Sequence, residues 1–312
     1  MKVSKLLIIA IAATVSLFTA CTAEEEDYPA NRELVFQVGL KGTRATPDNS
    51  WAVGDFIAVK VGGVVKKYVI TDLSGKAVGA DKNNTFYWDE LGASSVKVSA
   101  WSFGGKYVSS LEDSITIATD QSNYDNYKVN DFVYAKETTI KQGQTGTLTF
   151  YHQMARLNFN IKVEDAGETV SGMLIGGEDV YSQTLKKAKF YYTDTLSNFG
   201  WFEYYDDETM VTTVVTPYKE ETAATGFDAS FSAILIPVSI EGSFYEIKTS
   251  DGTKETSYPI ESWYLSANDP DDPYRELYYD PGYEYTINIT IKNKQLIIGN
   301  GKTAVTVNDW IE

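Results

Sequence analysis

The sequence predicts an all-β protein built of β-sandwiches, and three observations predict it. Short runs with apolar side chains at every second position recur from Glu33 to the end of the chain. Val, Ile, Thr, Tyr and Phe dominate these runs, and those side chains fit a pleated, half-buried surface. Clusters of Gly, Asn, Asp and Ser divide the runs, and no segment beyond the first twenty residues shows a helical period.

In chain order, residues 1–20 read as a signal peptide and stand outside the fold. Lys2 and Lys5 form a basic end, and Leu6 to Phe18 is apolar apart from Thr14 and Ser16, too short and too interrupted to span a bilayer. Thr19 and Ala20 lead into Cys21, the only cysteine. The stretch "LFTAC" resembles the lipobox of bacterial lipoproteins, with Phe18 where leucine is usual, so Cys21 is the expected lipidation site. Residues 21–30 carry Glu24, Glu25, Glu26 and Asp27 in a row; four adjacent like charges repel and stay solvated, which makes a tether. Its position resembles the export signal of surface lipoproteins in Bacteroidetes. With one thiol, disulfides contribute nothing, and the fold rests on its core and backbone pairing.

The first strand lies in "RELVFQVGLKGTRATPDNSW". Leu34, Phe36, Val38 and Leu40 fall on one face at period two, and Val35, Gln37, Gly39 and Lys41 on the other. Arg44 follows among Gly42, Thr43, Ala45, Thr46 and Pro47, a stretch too rich in turn residues to continue the strand. The strand is either permanent core or a plug removed at Arg44.

Further runs follow at 55–61, 66–71, 95–103, 114–119, 131–137 and 146–163, then at 188–194, 210–216, 231–240, 243–250, 283–291 and 303–310. Two sandwiches of ordinary size fit this length, an N-terminal one over 31–165 and a C-terminal one over 166–312, with the break placed in "EDAGETVSG" at 164–172. A long irregular loop is expected at 266–285.

Composition limits the chemistry. Without Lys2 and Lys5 the chain keeps 25 Lys and Arg against 43 Asp and Glu, a net charge of −18, which argues against nucleic acid and anionic lipid headgroups as partners. His152 is the only histidine, no G-x-S-x-G elbow is present and the single cysteine is assigned to lipid, so neither a catalytic triad nor a zinc site is expected. No cofactor loop is visible. Adjacent carboxylates such as Asp89 and Glu90, or Asp206 and Asp207, would point to opposite faces of a strand, the wrong geometry for glycoside hydrolysis. Asp269, Asp271 and Asp272 lack the spacing of a calcium loop and read as solvated. Among 22 tyrosines, 14 phenylalanines and six tryptophans, "WYLS" at 263–266 and "ELYYDPGYEY" at 276–285 are candidate sugar-stacking surfaces, although tyrosine on strands also packs its ring and keeps its hydroxyl wet.

The ordered motifs "RAT" at 44–46, "WAVGDFIAV" at 51–59, "FYW" at 86–88, "DFVYA" at 131–135, "FYHQMARLNFNI" at 150–161, "ILIP" at 234–237, "YEYTINITI" at 283–291 and "VNDW" at 307–310 resemble fimbrillin-family proteins of Bacteroidales. The resemblance spans nearly the whole chain after Cys21. Trp51 and Asp55 correspond to the family's "W..GD" element, and His152, Met154, Ala155 and Arg156 to its "H.MA.L" strand. It implies tandem transthyretin-like β-sandwiches and a non-enzymatic, surface-exposed, outer-membrane lipoprotein that becomes a type V pilus subunit or adhesin. It further implies an arginine-specific protease as a partner, cutting between Arg44 and Ala45, and other pilus subunits as partners by strand exchange. Residues 33–41 would fill the groove in the precursor. Only Ile311 and Glu312 follow the last strand, so 294–307 could supply a detachable donor strand, and a tip, anchor or accessory place in the pilus stays open. "DSI" at 113–115 and "DTL" at 194–196 resemble an O-glycosylation signal, placing sugar on Ser114 and Thr195. The alternative is an outer-membrane surface lipoprotein that binds glycan for a polysaccharide-uptake system without polymerising and keeps its strand and lipid, with a host or glycan ligand as partner.

Overall fold

The computed structural model describes residues 32–40, 51–111, 114–177, 184–192, 197–203, 211–237, 239–240, 244–261, 277–298 and 305–310. The signal peptide, Cys21, the acidic tether, Arg44, Ala45 and Thr195 lie outside these residues, as do Asp206, Asp207, the aspartates at 269–272 and "WYLS" at 263–266. The all-β class holds: the α-helices described are single turns or little more, Trp88–Leu91 and Tyr124–Lys128. Asp89 and Glu90 sit on the first of these helices rather than on a strand.

The first half contains β1 (Phe36–Leu40), β2 (Phe56–Val61), β3 (Val64–Ile70), β4 (Lys76–Gly79), β5 (Ser95–Phe103), β6 (Ile115–Thr116), β7 (Phe132–Lys141) and β8 (Gly146–His152). Seven of them close into a barrel in the order β1-β4-β3-β2-β5-β7-β8, with β1 against β8 completing the ring. β6 lies outside it, paired with Lys187–Tyr191. Alternation explains the barrel core: Ile57, Val59, Val98, Ala100, Val133 and Ala135 point inward with Tyr68, Leu148 and Phe150. On the opposite face of β2, β5 and β7, Ala58, Trp101 and Phe132 are also buried, because the second half covers that wall.

The turn into β2 shows what the "W..GD" residues do. Asp55 Oδ2 accepts the Ala52 amide at 2.8 Å, and its other oxygen lies 3.5 Å from Lys128 Nζ. Gly54 has φ +97°, a conformation that disfavours any side chain with a Cβ. The element is a turn lock.

The run over 146–163 is two strands in different sheets: β8 closes the barrel, whereas β9 (Ala155–Val163) pairs antiparallel with Ala229–Leu235 and parallel with Tyr283–Lys292. Between them Gln153 is fully buried; its amide donates to Tyr151 O and Asn198 O, and its Oε1 accepts the Gly200 amide. These bonds take the chain out of one ladder and into the next at Gln153–Met154. Of the 164–172 stretch, 164–168 connect β9 to β10 (Thr169–Ile175) and the rest opens β10. β10 forms a sheet with Phe244–Ser250 and Glu255–Glu261. This sheet packs on the β9 sheet, with the Phe159 and Tyr245 rings 5.1 Å apart.

Aromatic pairs join the halves. Phe132 meets Phe190 edge-on at 4.8 Å, and Tyr127 stacks on Tyr218 at 5.4 Å. His152, at the end of β8, stacks on Trp310 at 3.9 Å with the rings 7° from parallel. Its Nδ1 lies 2.5 Å from Asp131 Oδ1, with both side chains fully buried.

Candidate functional site: the first strand in the barrel

β1 occupies its place through a parallel ladder with β8, running from Phe36 opposite Gly146 to Leu40 opposite Phe150. Strands adjacent in sequence pair antiparallel across short hairpins, whereas a parallel neighbour must arrive from elsewhere in the chain. On its other edge β1 pairs with β4 only at Phe36 and Gln37. Beyond β4 the backbone is held by further bonds: Leu34 N to Phe86 O at 2.9 Å and Trp88 N to Arg32 O at 2.8 Å, which flank an antiparallel bridge between Glu33 and Tyr87, and Val38 N to Gly75 O at 2.8 Å. Gln37 Nε2 also donates to Ser74 O. The strand lies in a slot.

Its side chains fill that slot as the alternation predicts. Leu34 and Phe36 have no exposed surface and Val38 has 3%, while Leu40 is half-buried. Full burial of such side chains is worth roughly 1.5–3 kcal/mol each, so three of them stabilise the seated strand by about 4.5–9 kcal/mol. Tyr68 forms part of the floor: its ring meets Phe36 edge-on at 5.3 Å, and its hydroxyl donates to Leu34 O at 3.0 Å while accepting the Phe86 amide. Burial pushes the Tyr68 phenol up, so it stays a neutral donor to the strand.

Two glycines shape the slot, and period-two patterning gave no sign of them. A Cβ on Gly75 would stand 2.3 Å from Val38 O, and Gly75 has φ +89°. A Cβ on Gly146 would stand 2.9 Å from the Phe36 ring. The Gly75 turn is tied by Asp72, whose Oδ1 accepts Ser74 N, Ser74 Oγ and Lys76 N; the Ser74 hydroxyl and these amides hold its carboxyl below the usual carboxylate range. At the start of the strand, Arg32 Nε pairs with Asp89 Oδ2 at 2.8 Å.

The other residues singled out from sequence fall elsewhere. The buried His152 offers a substrate no surface. Met154 and Ala155 are buried where the chain changes sheets, and Arg156 Nη1 lies 3.5 Å from Glu284. Ser114 is half-buried just ahead of β6. The 294–307 segment contains Gln295–Ile298, which lies with Val305–Asp309 along one edge of Tyr283–Lys292. Among the described residues no group of His, Cys, Asp and Glu is arranged to hold a metal, and no helix is long and apolar enough to cross a membrane.

Comparison with known proteins agrees with this architecture. In fold the chain is similar to a "putative cell adhesion protein" of Bacteroides uniformis ATCC 8492, with a TM-score of 0.60 and 15% identity over 90% of this chain and 99% of that one. A second, from Bacteroides ovatus ATCC 8483, gives a TM-score of 0.58 and 15% identity over 90% of this chain and 97% of that one. No curated protein matches in sequence. The family model described as fimbrillin-like matches residues 43–310, and the chain belongs to that family.

Proposed function

We propose that the protein is a cell-surface pilus subunit or adhesin, exported as a lipoprotein on Cys21, whose first strand is a removable plug. The observation that carries this reading is the seating of β1, parallel to β8 and paired with β4 at only two residues. Arg44 follows the strand by four residues, in a segment whose Gly42, Thr43 and Pro47 suit protease access. Cleavage between Arg44 and Ala45 releases lipid and strand together, because both lie upstream. The emptied slot, bordered by Leu148 and Phe150 on β8 and by Ala77 on β4, then exposes apolar surface and unpaired backbone. A neighbouring subunit's strand relieves both, with main-chain bonds giving affinity and alternate side chains giving register. The donor is the 294–307 segment, whose described residues pair with Tyr283–Lys292.

The test is mass spectrometry of the protein's N-terminus on native cells, comparing wild type with Arg44→Ala. A wild-type chain starting at Ala45, and a variant still lipidated at Cys21, are the expected results. A wild-type chain that keeps its lipid makes β1 permanent core and overturns the plug.

A further inference from the structure

Across the barrel from β1, the covered wall of β2, β5 and β7 does not meet the second half everywhere. A cleft of about 550 Å³ remains between this wall and the chain around Phe190 and Tyr192. That volume falls within the range of about 300–1,000 Å³ typical of small-ligand sites, which favour junctions between structural units.

The walls divide by chemistry. Trp101, 3% exposed, forms an apolar floor, and its Nε1 donates to Val108 O at 2.7 Å, which fixes the indole. Tyr134 and Tyr192 form an aromatic side wall, their rings 4.9 Å apart and tilted by 36°. Polar groups surround them: Lys60 on β2, Ser99 beside the Tyr134 hydroxyl, and the Lys97–Glu137 pair, 2.7 Å apart, at the adjoining mouth. Ser99 sits where the β5–β7 register shifts between Val98 and Ala100. Such bulges re-aim side chains and are over-represented beside binding sites.

We propose that this cleft binds a short carbohydrate chain. A sugar ring presents an apolar C–H face and a rim of hydroxyls that both donate and accept. The cleft offers flat aromatic surface next to an ammonium, a hydroxyl and a carboxylate. A peptide strand fits poorly, because β2, β5 and β7 are each paired on both sides and leave no ladder edge for strand addition. A polyanion also fits poorly, because Glu137 offsets one of the two lysines. The proposal goes beyond strand replacement: β1 lies on the other side of the ring, so the cleft is complete with the plug in or out.

The test applies purified intact protein to a printed array of mammalian and bacterial glycans, then titrates the best-retained oligosaccharide by calorimetry. Gly63→Trp places bulk at the cleft mouth. Gly63 lies in the β2–β3 turn outside the left-handed region, and a Cβ there meets nothing within 4 Å, so folding is spared. Saturable binding is expected, abolished by Gly63→Trp and weakened at least tenfold by Lys60→Ala and by Tyr192→Ala, with Gly63→Trp and Lys60→Ala unchanged in Tm. Failure to retain any glycan overturns the proposal, and so does binding that is indifferent to both Gly63→Trp and Lys60→Ala. Neither variant touches the β1 slot, so this result and the fate of the N-terminus are read separately.

Discussion

Replacing Phe36 by alanine removes the central anchor of β1. The ring has no exposed surface, meets Tyr68 at 5.3 Å and lies against Gly146, a position where even a methyl group would crowd it. Large-to-small changes of this kind cost about 3–5 kcal/mol, because the transfer free energy is lost and the cavity collapses only in part. The three buried side chains contribute about 4.5–9 kcal/mol, so Phe36→Ala removes about a third of the apolar hold on the strand and adds the cost of the cavity. Against a typical net stability of about 5–15 kcal/mol, that loss is large. Urea denaturation followed by tryptophan fluorescence should show a destabilisation of about 3–5 kcal/mol. Limited trypsinolysis should show faster cutting at Arg44, since a loosened strand opens more often. A loss below about 1 kcal/mol, or an unchanged cutting rate, would refute the reasoning that the slot is held by these side chains.

Two other perturbations test the frame around the strand. Asp72 has a depressed carboxyl, so its bonds in the Gly75 turn contribute above the unfolded value near 4 and fade as pH falls toward its lower folded value. Asp72→Ala should therefore lower Tm at pH 7, with the gap to wild type closing in acid; a gap constant down to pH 2 would contradict this. Trp310→Ala removes the ring that stacks on His152 across the two halves, at a cost of about 3–5 kcal/mol, and Trp310→Phe should recover more than half of it. Equal losses in both variants would refute this, because a phenyl ring that keeps a stacked face and most of the volume would then recover nothing.

Much of this was legible in the sequence. Period-two alternation fixes which side chains of a strand share a face, and Leu34, Phe36 and Val38 are buried together as that pattern requires. Strand chemistry and the scarcity of helical periods determine the all-β class, and the ordered motifs point to the family. Alternation carries no information about which strand lies next to which. The run over 146–163 keeps one period throughout, yet bonds from a buried Gln153 to residues near 198–200 split it between two sheets. The parallel seating of β1 likewise depends on β8, more than a hundred residues downstream, and on Gly75 and Gly146 yielding the room. The cleft draws Lys60, Ser99, Tyr134 and Tyr192 from four separate strands or their ends. Such neighbours are chosen by the burial of whole sheet faces against each other, a long-range free energy that no local pattern records, and only the tertiary structure decides them.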